Sequence, residues 1–375
     1  MKVKAALLEE VGGSWQIGEV ELGDPVKGEV QVKLAASGLC HSDAHLVSGS
    51  TSSAIYPVLG GHEGAGVITK VGPGVTDLEV GDHVVLSFIP ACGKCPSCAA
   101  GRQNLCDAGR FLLTGMAISD QTYRVSRDGA PVAQMCLLGT FSPYVTVNEA
   151  SVVRIEEDIP LDKAALLGCG VSTGWGSAVD IGGTRPGDTV VVMGVGGVGI
   201  NAVQGARFAG ARFVVAVDPV EFKRKKALEF GATHVFSSAE EAFADLPDLT
   251  WGKMADTVVI TVGEIKGEHI QQALNLTGKG GQVIVTGMGD ETALQVDLSL
   301  FELTLLQKRV QGAIFGGVGP RTQIPKLLDL YRSGDLKLDE LVTTTYSLED
   351  LNQGYEDMAD GKNLRGLVVY TDADY

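Results

Sequence analysis

Asp188-Thr189-Val190-Val191-Val192-Met193-Gly194-Val195-Gly196-Gly197-Val198-Gly199 is the stretch that decides the fold. Its first half is an apolar, β-branched run of the kind found in parallel strands buried on both faces. Its second half is a glycine turn that opens a helical stretch running to residue 208. Phe213-Val214-Val215-Ala216-Val217-Asp218 reads as the next strand and residues 219–230 as the next helix, with further strands over 257–262 and 282–286. This alternation predicts an α/β domain with a doubly wound parallel sheet.

Within that frame, Gly194-x-Gly196-x-x-Gly199 has the setting of a dinucleotide fingerprint: a strand before it, a helix after it, and an acid, Asp218, about twenty residues on. Gly194 allows the tight turn, Gly196 lets backbone N–H groups approach a pyrophosphate, and Gly199 permits close helix–strand packing. Gly197 lies in the same loop, and the helix N-terminus adds partial positive charge. Asp218 is placed to accept hydrogen bonds from an adenosine ribose and to repel a 2′-phosphate, which favours NAD(H) over NADP(H). A glycine turn that binds nothing would need none of these flanking features.

Outward from this domain the grammar changes. The first ~150 residues read mainly as short strands by period-two alternation. Glu29-Val30-Gln31-Val32-Lys33-Leu34 ends in Ser37-Gly38-Leu39-Cys40, and Gly66-Val67-Ile68-Thr69-Lys70-Val71 turns at Gly72-Pro73-Gly74 towards strands ending at Val84-Val85-Leu86. Short strands punctuated by Gly and Pro predict a barrel-like β domain. After residue 315 come two helical segments (324–332 and 348–358) and a strand over 365–370. This tail is expected to rejoin the β domain. The division is then 1–170 with 315–375 as one domain and 171–314 as the inserted parallel-sheet domain.

Length and composition agree with two domains: 375 residues, 45% hydrophobic, and 50 glycines, against a typical share of about 7%. A net charge of −16 argues against a nucleic-acid partner, which needs a basic face. Met1-Lys2-Val3-Lys4 leads into an alternating strand pattern, so no secretion signal is expected. The longest apolar segment, 189–203, is too short for a bilayer.

The seven cysteines carry chemistry. Cys92-x2-Cys95-x2-Cys98-x7-Cys106 supplies four thiolates at spacings that can enclose a tetrahedral Zn²⁺, a structural site in a lobe over 90–107. Cys40, His62 and Cys169 are scattered but sit in dense settings: Cys40-His41-Ser42-Asp43-Ala44-His45, Gly60-Gly61-His62-Glu63-Gly64 and Gly168-Cys169-Gly170. Two thiolates and one imidazole leave a fourth position open, as a catalytic zinc requires. With six cysteines better explained as ligands than as disulfides, the cytoplasm is the expected compartment. Cys136 reads as a packing residue, and His83, His234 and His269 as structural or surface histidines. The stretch 107–136 has mixed composition and is expected to shape a substrate entrance or a subunit contact.

These motifs, in type, order and spacing, resemble the zinc-dependent medium-chain alcohol dehydrogenases over essentially the whole chain. Two thiolates plus an imidazole is the ligand set by which that family is already known. Leu86-Ser87-Phe88-Ile89-Pro90-Ala91-Cys92 and Asn201-Ala202-Val203-Gln204-Gly205-Ala206-Arg207 bring the resemblance closest to the nitrosoaniline-dependent members of actinobacteria, in which the nicotinamide cofactor can stay bound. The resemblance implies a GroES-like catalytic domain, a Rossmann domain, two zincs per chain, NAD(H), a small alcohol or aldehyde substrate and a homo-oligomer, dimer or tetramer. It implies that Ser42 accepts the alcohol proton and passes it through the cofactor ribose towards His45 near the surface. Asp43 would orient His62, and Glu63 would approach the metal during ligand exchange. Thr173 and Val198 would pack near the nicotinamide and Lys223 near the adenosine ribose. His41 and Arg365 would contact the pyrophosphate, while Ala313 and Phe315 lie in a segment that meets the nicotinamide amide. A thiol-dependent formaldehyde dehydrogenase shares every metal ligand and is the close rival. A non-catalytic dinucleotide-binding redox sensor would be expected to lack the open-site ligands or the proton relay, yet Cys40, His62, Cys169, Ser42 and His45 are all present.

Overall fold

The valine-rich run forms the strand Thr189–Met193, buried along its whole length, inside a six-stranded sheet. The computed structural model describes all residues from 1 to 375. Across that sheet the strands are His234–Phe236, Phe213–Val217, Thr189–Met193, Ala255–Ile260, Thr277–Val285 and Arg309–Gly312, all parallel. The strand order reverses at Thr189–Met193, and in open α/β sheets ligands bind beyond the carboxyl end of such a strand. Helices Gly199–Phe208, Glu221–Glu229, Ala239–Thr250 and Gly267–Leu276 connect the strands, and one apolar cluster joins Val191, Val215, Val258 and Val283 to Ala242, Leu246 and Leu274. Two strands carry no readable sequence signal. His234–Phe236 has only three residues, and Arg309–Gly312 is exposed throughout, so neither shows a buried apolar run.

The chain divides into two compact units, Met1–Cys169 with Gly319–Ser333 and Leu338–Tyr375, and Gly170–Val318 with Gly334–Lys337. The first contains a closed barrel of Lys2–Leu8, Gln16–Leu22, Val125–Arg127, Ala130–Gln134 and Val58–Leu59. Its second sheet has seven strands, with Glu29–Gly38 paired to Gly64–Val71, Tyr144–Asn148 and the late strand Arg365–Val369. Part of the stretch 107–136 is therefore regular structure: it supplies two strands of the barrel. The rest is tied down by a buried ion pair, Arg124 Nε to Glu29 Oε2 at 2.7 Å, with Asp120 on the same guanidinium at 2.8 Å. Trp15, Leu34, Leu59, Leu86 and Phe141 form the centre of this unit's core. No helix of the chain is long and apolar enough to cross a membrane.

Candidate metal centres and dinucleotide loop

Antiparallel pairing brings the first two scattered residues together. Ser37 at the end of one strand lies opposite Gly64 at the start of the next, so Cys40, three residues past Ser37, meets His62, two residues before Gly64. Cys40 also begins the helix His41–Ser48. The third residue arrives on the turn Ala165–Gly168; Gly168 lies so close to the Leu86 carbonyl that a side chain there would collide, and it packs on the Glu63 backbone. The ligand atoms of Cys40, His62, Glu63 and Cys169 all lie within 4.8 Å of one another, and all four residues are buried.

His62 is prepared as a ligand. Its Nδ1 lies 3.3 Å from Asp43 Oδ1, which also accepts the Gly61 N–H at 3.0 Å. A carboxylate oxygen accepts, so Nδ1 donates to it and Nε2 is the ring nitrogen left to face a metal. That Nε2 is buried without a partner, which a native core rarely leaves uncompensated. Phe88 packs edge-on against the ring at 5.9 Å.

The charges around this set are strongly coupled. Donation from Cys169, working against burial, holds the Cys40 thiol well below its ordinary value, and the charge of His62 helps. The same Cys40 contact, with burial, pushes Cys169 well up. Burial disfavours a charged His62, yet the Asp43 carboxylate and the Cys40 thiolate outweigh it and raise the imidazole well above its usual range. A cation is thus wanted among these sulfurs, and a Zn²⁺ would supply it while deprotonating both thiols. Glu63 is pushed up to about 7 by burial despite the Arg365 guanidinium, which pairs with its Oε2. Gly38 leaves the room for that pair, since a Cβ there would fall on Glu63 Oε2. The Glu63–Arg365 pair is not readable from sequence, because its members lie 302 residues apart.

Ser42 Oγ lies 3.7 Å from Cys40 Sγ. His45 differs from expectation: it is only 7% exposed rather than near the surface, because the inward face of the helix His41–Ser48 carries Asp43, His45 and Leu46. His41 on the outer face is exposed.

The four-cysteine lobe is built differently. Cys95 caps the short helix Pro96–Ala99, and its Sγ accepts the N–H groups of Cys98 and Asp107, each at 3.4 Å; Cys106 Sγ accepts that of Cys92, also at 3.4 Å. The Asp107 and Cys98 amides bring Cys95 down to about 6, whereas burial takes Cys98 up to about 12. Cys92 and Cys98 sulfurs are 4.0 Å apart and those of Cys95 and Cys106 3.9 Å. A tetrahedron with Zn–S arms of about 2.3 Å has edges of about 3.8 Å. The residues fit a zinc ion. Cys136, the seventh cysteine, is outside both sets.

In the parallel-sheet unit, Gly194 takes the left-handed conformation at φ 84°, and Gly199 packs so tightly on the Gly194 carbonyl that only glycine fits. Gly196 faces open space, its nearest neighbour being Lys223 Nζ, and Gly197 and Val198 are half-buried. Asp218 Oδ2 accepts the Val195 N–H at 3.0 Å and Oδ1 the Val220 N–H at 2.9 Å, which holds the carboxylate against the loop. Thr173 Oγ1 is buried without a partner. Ala313 N donates to the Val285 carbonyl at 2.9 Å, and the buried Phe315 follows at φ 52°.

Two families match in sequence: the alcohol dehydrogenase GroES-like domain over residues 26–157 and the zinc-binding dehydrogenase family over 197–333. Alcohol dehydrogenase B of Mycobacterium tuberculosis is 53% identical over 374 residues, covering 100% of both chains. An NDMA-dependent alcohol dehydrogenase of Amycolatopsis methanolica is 53% identical over 371 residues, 99% of this chain and 100% of the relative. Among solved structures, benzyl alcohol dehydrogenase from Acinetobacter calcoaceticus superposes with a TM-score of 0.92 at 29% identity, over 99% of this chain and 100% of that one.

Proposed function

We propose an activity from one premise: this chain belongs to the zinc-binding alcohol dehydrogenase family. It interconverts a primary or otherwise unhindered alcohol and its aldehyde, with NAD(H) as the hydride partner. When bound, zinc supplies Lewis acidity that lowers the pKa of the alcohol, and the nicotinamide exchanges the hydride. The protein's part is placement and proton handling. Cys40, His62 and Cys169 hold the catalytic metal; Asp43 keeps the His62 proton on Nδ1. The Ser42 hydroxyl takes the alcohol proton and hands it on towards His45. Glu63, paired with Arg365, supplies a buried carboxylate beside the metal set, and Arg365 with His41 serves the pyrophosphate. Gly194, Gly196, Gly197 and Gly199 give the dinucleotide its backbone amides. Asp218 takes the ribose and disfavours a 2′-phosphate, Lys223 stands beside it, and Thr173, Val198, Ala313 and Phe315 line the nicotinamide. Cys92, Cys95, Cys98 and Cys106 hold a structural zinc.

The observation that carries this reading is the convergence of two thiols on a buried imidazole nitrogen that has no partner. The similarity to an NDMA-dependent enzyme supports a cofactor that stays bound through turnover. Gently purified protein tests both points. It should contain two zincs per chain, carry NAD(H) detectable by absorbance and mass, and oxidise alcohols with an artificial acceptor and no added NAD⁺. One zinc per chain would remove a site, and strict dependence on free NAD⁺ would remove the bound cofactor. Stimulation of formaldehyde oxidation by a low-molecular-weight thiol would move the substrate to a hydroxymethyl-thiol adduct.

A homo-oligomer, dimer or tetramer, is part of the same proposal. The open edge strand Arg309–Gly312 is exposed, and Leu300, Phe301 and Leu305 are 70%, 73% and 65% exposed on the preceding helix. An uncovered apolar edge of this kind invites pairing with a second copy; light scattering that gives a monomer would refute it. Seven unpaired cysteines support a reducing compartment, the cytoplasm.

A further inference from the structure

We propose that Tyr355 is a positioning residue, its hydroxyl donating to Asp43 Oδ2 and so holding the carboxylate that orients His62. The proposal rests on reading Cys40, His62 and Cys169 as a metal site. Asp43 is fully buried. Its Oδ1 is doubly used, by Gly61 N and His62 Nδ1, but its Oδ2 is buried with no hydrogen-bond partner. Such an oxygen, left without a donor, is costly. Tyr355 OH is likewise buried with no partner. One atom lacks a donor and the other lacks an acceptor.

Packing brings the two together. Tyr355 projects from the helix Leu351–Ala359 and stacks on Trp15 and Phe141, with ring centroids 6.2 and 6.3 Å away. Both rings lie directly on Gly60, and Phe141 also on Gly61, where any side chain would strike them. Gly61 is the residue whose amide anchors Asp43. Burial, then the charges of Asp43 and Cys40, push the Tyr355 phenol well above its ordinary value, so it is a donor at any working pH. Within this ring cluster, Trp15 Nε1 is the other buried donor without a partner. Trp15 turns its Cη2–Cζ3 edge to Gly60, however, and that leaves its nitrogen at the far end of the indole.

A carboxylate held at both oxygens cannot swing away from His62 Nδ1. Groups that orient a metal-bound histidine typically change metal affinity about 10- to 100-fold when lost. Tyr355 acts one step further out, so the lower figure is expected. Holoprotein of the unaltered chain, Tyr355→Phe, Asp43→Asn and the double variant would be dialysed against graded EDTA, with metal per chain and thermal midpoint recorded. Tyr355→Phe should lose one metal at about tenfold lower EDTA and keep the four-cysteine metal, while Asp43→Asn loses the same metal more readily still. The double variant should match Asp43→Asn alone, because Tyr355 acts through Asp43. A packing role alone would lower the thermal midpoint without releasing one metal selectively. If Asp43→Asn releases metal and Tyr355→Phe behaves as the unaltered protein, the Tyr355 assignment is wrong and the site stands. If neither releases metal, the site itself is misread. Should Tyr355→Phe be insoluble, NMR of the unaltered holoprotein decides. A slowly exchanging tyrosine hydroxyl proton that vanishes in Asp43→Asn supports the bond, and its absence overturns it.

Discussion

The two metal-ligand sets differ in how the chain assembles them. Cys92, Cys95, Cys98 and Cys106 come from one short, half-exposed lobe whose sulfurs are arranged by local backbone N–H groups. Cys40, His62 and Cys169 come from the ends of distant elements and are arranged by strand pairing and glycine contacts. The first set is closed by four like ligands; the second combines two thiols with an imidazole held by a carboxylate. One is organised within its own loop, and the other relies on the packing of a whole unit to bring its side chains together.

The sharpest way to break this contrast is to remove one sulfur from each set. Cys40→Ala should leave a folded protein with one metal per chain and turnover reduced at least about 10³-fold, given the several kcal/mol a Lewis acid contributes. Cys98→Ala should also leave one metal, but with the effect on stability: early loss of the lobe to protease and a lower thermal midpoint. Equal behaviour of the two variants would mean that the sets do not divide the labour as described.

A second large effect belongs to the buried set alone. At pH 8, above the value of about 7 to which burial raises Glu63, Glu63→Gln leaves the Arg365 guanidinium, 3% exposed, without the carboxylate it pairs with. Breaking a buried pair on one side costs about 3–5 kcal/mol, readable as a lower midpoint in urea unfolding. A change under about 1 kcal/mol, the range of exposed pairs, would show that solvent reaches the pair.

The contrast also explains what the sequence reveals. The lobe is legible because its spacing is its structure, and the loop at Gly194–Gly199 because strand, turn and helix are contiguous. The histidine and two cysteines could be nominated from their dense local settings. What unites them, the register of Ser37 against Gly64 for Cys40 and His62 and the turn Ala165–Gly168 for Cys169, is tertiary. The burial of His45 is likewise tertiary: the resemblance implies a place near the surface, and only the packing of the helix His41–Ser48 turns it inward. The barrel strands Val125–Arg127 and Ala130–Gln134 were hidden by their brevity. Glu63–Arg365 and Tyr355–Trp15–Phe141 were hidden by chain separation.

Proton competition gives a smaller, graded effect in the lobe. Without metal, burial places Cys98 at about 12 and Cys106 above its ordinary value, so both are protonated at neutral pH. Zinc must displace at least those two protons, and its affinity should fall at least about a hundredfold for each unit of acidification near neutrality. Cys95, at about 6, adds a further proton only below that pH. Chelator competition at several pH values on Cys40→Ala, which isolates the lobe, would measure the slope. A slope near zero would mean that the metal-free lobe already holds its thiolates.

The smallest effect is expected at the cysteine that belongs to neither set. Burial raises Cys136 to about 11, so at neutral pH it is a neutral thiol packed on the apolar core. Its backbone is left-handed, at φ 50° and ψ 34°, which costs a non-glycine residue roughly 1–2 kcal/mol. Cys136→Gly relieves that strain and gives up the packing of one small side chain, worth roughly 1 kcal/mol. The two terms oppose each other, so the variant should unfold within about 1 kcal/mol of the unaltered chain. Cys136→Ala, which loses the sulfur and keeps the strain, should be the less stable of the two. Both should retain two metals and full turnover. Loss of metal from either would move Cys136 into the buried set and end the division between the two regions.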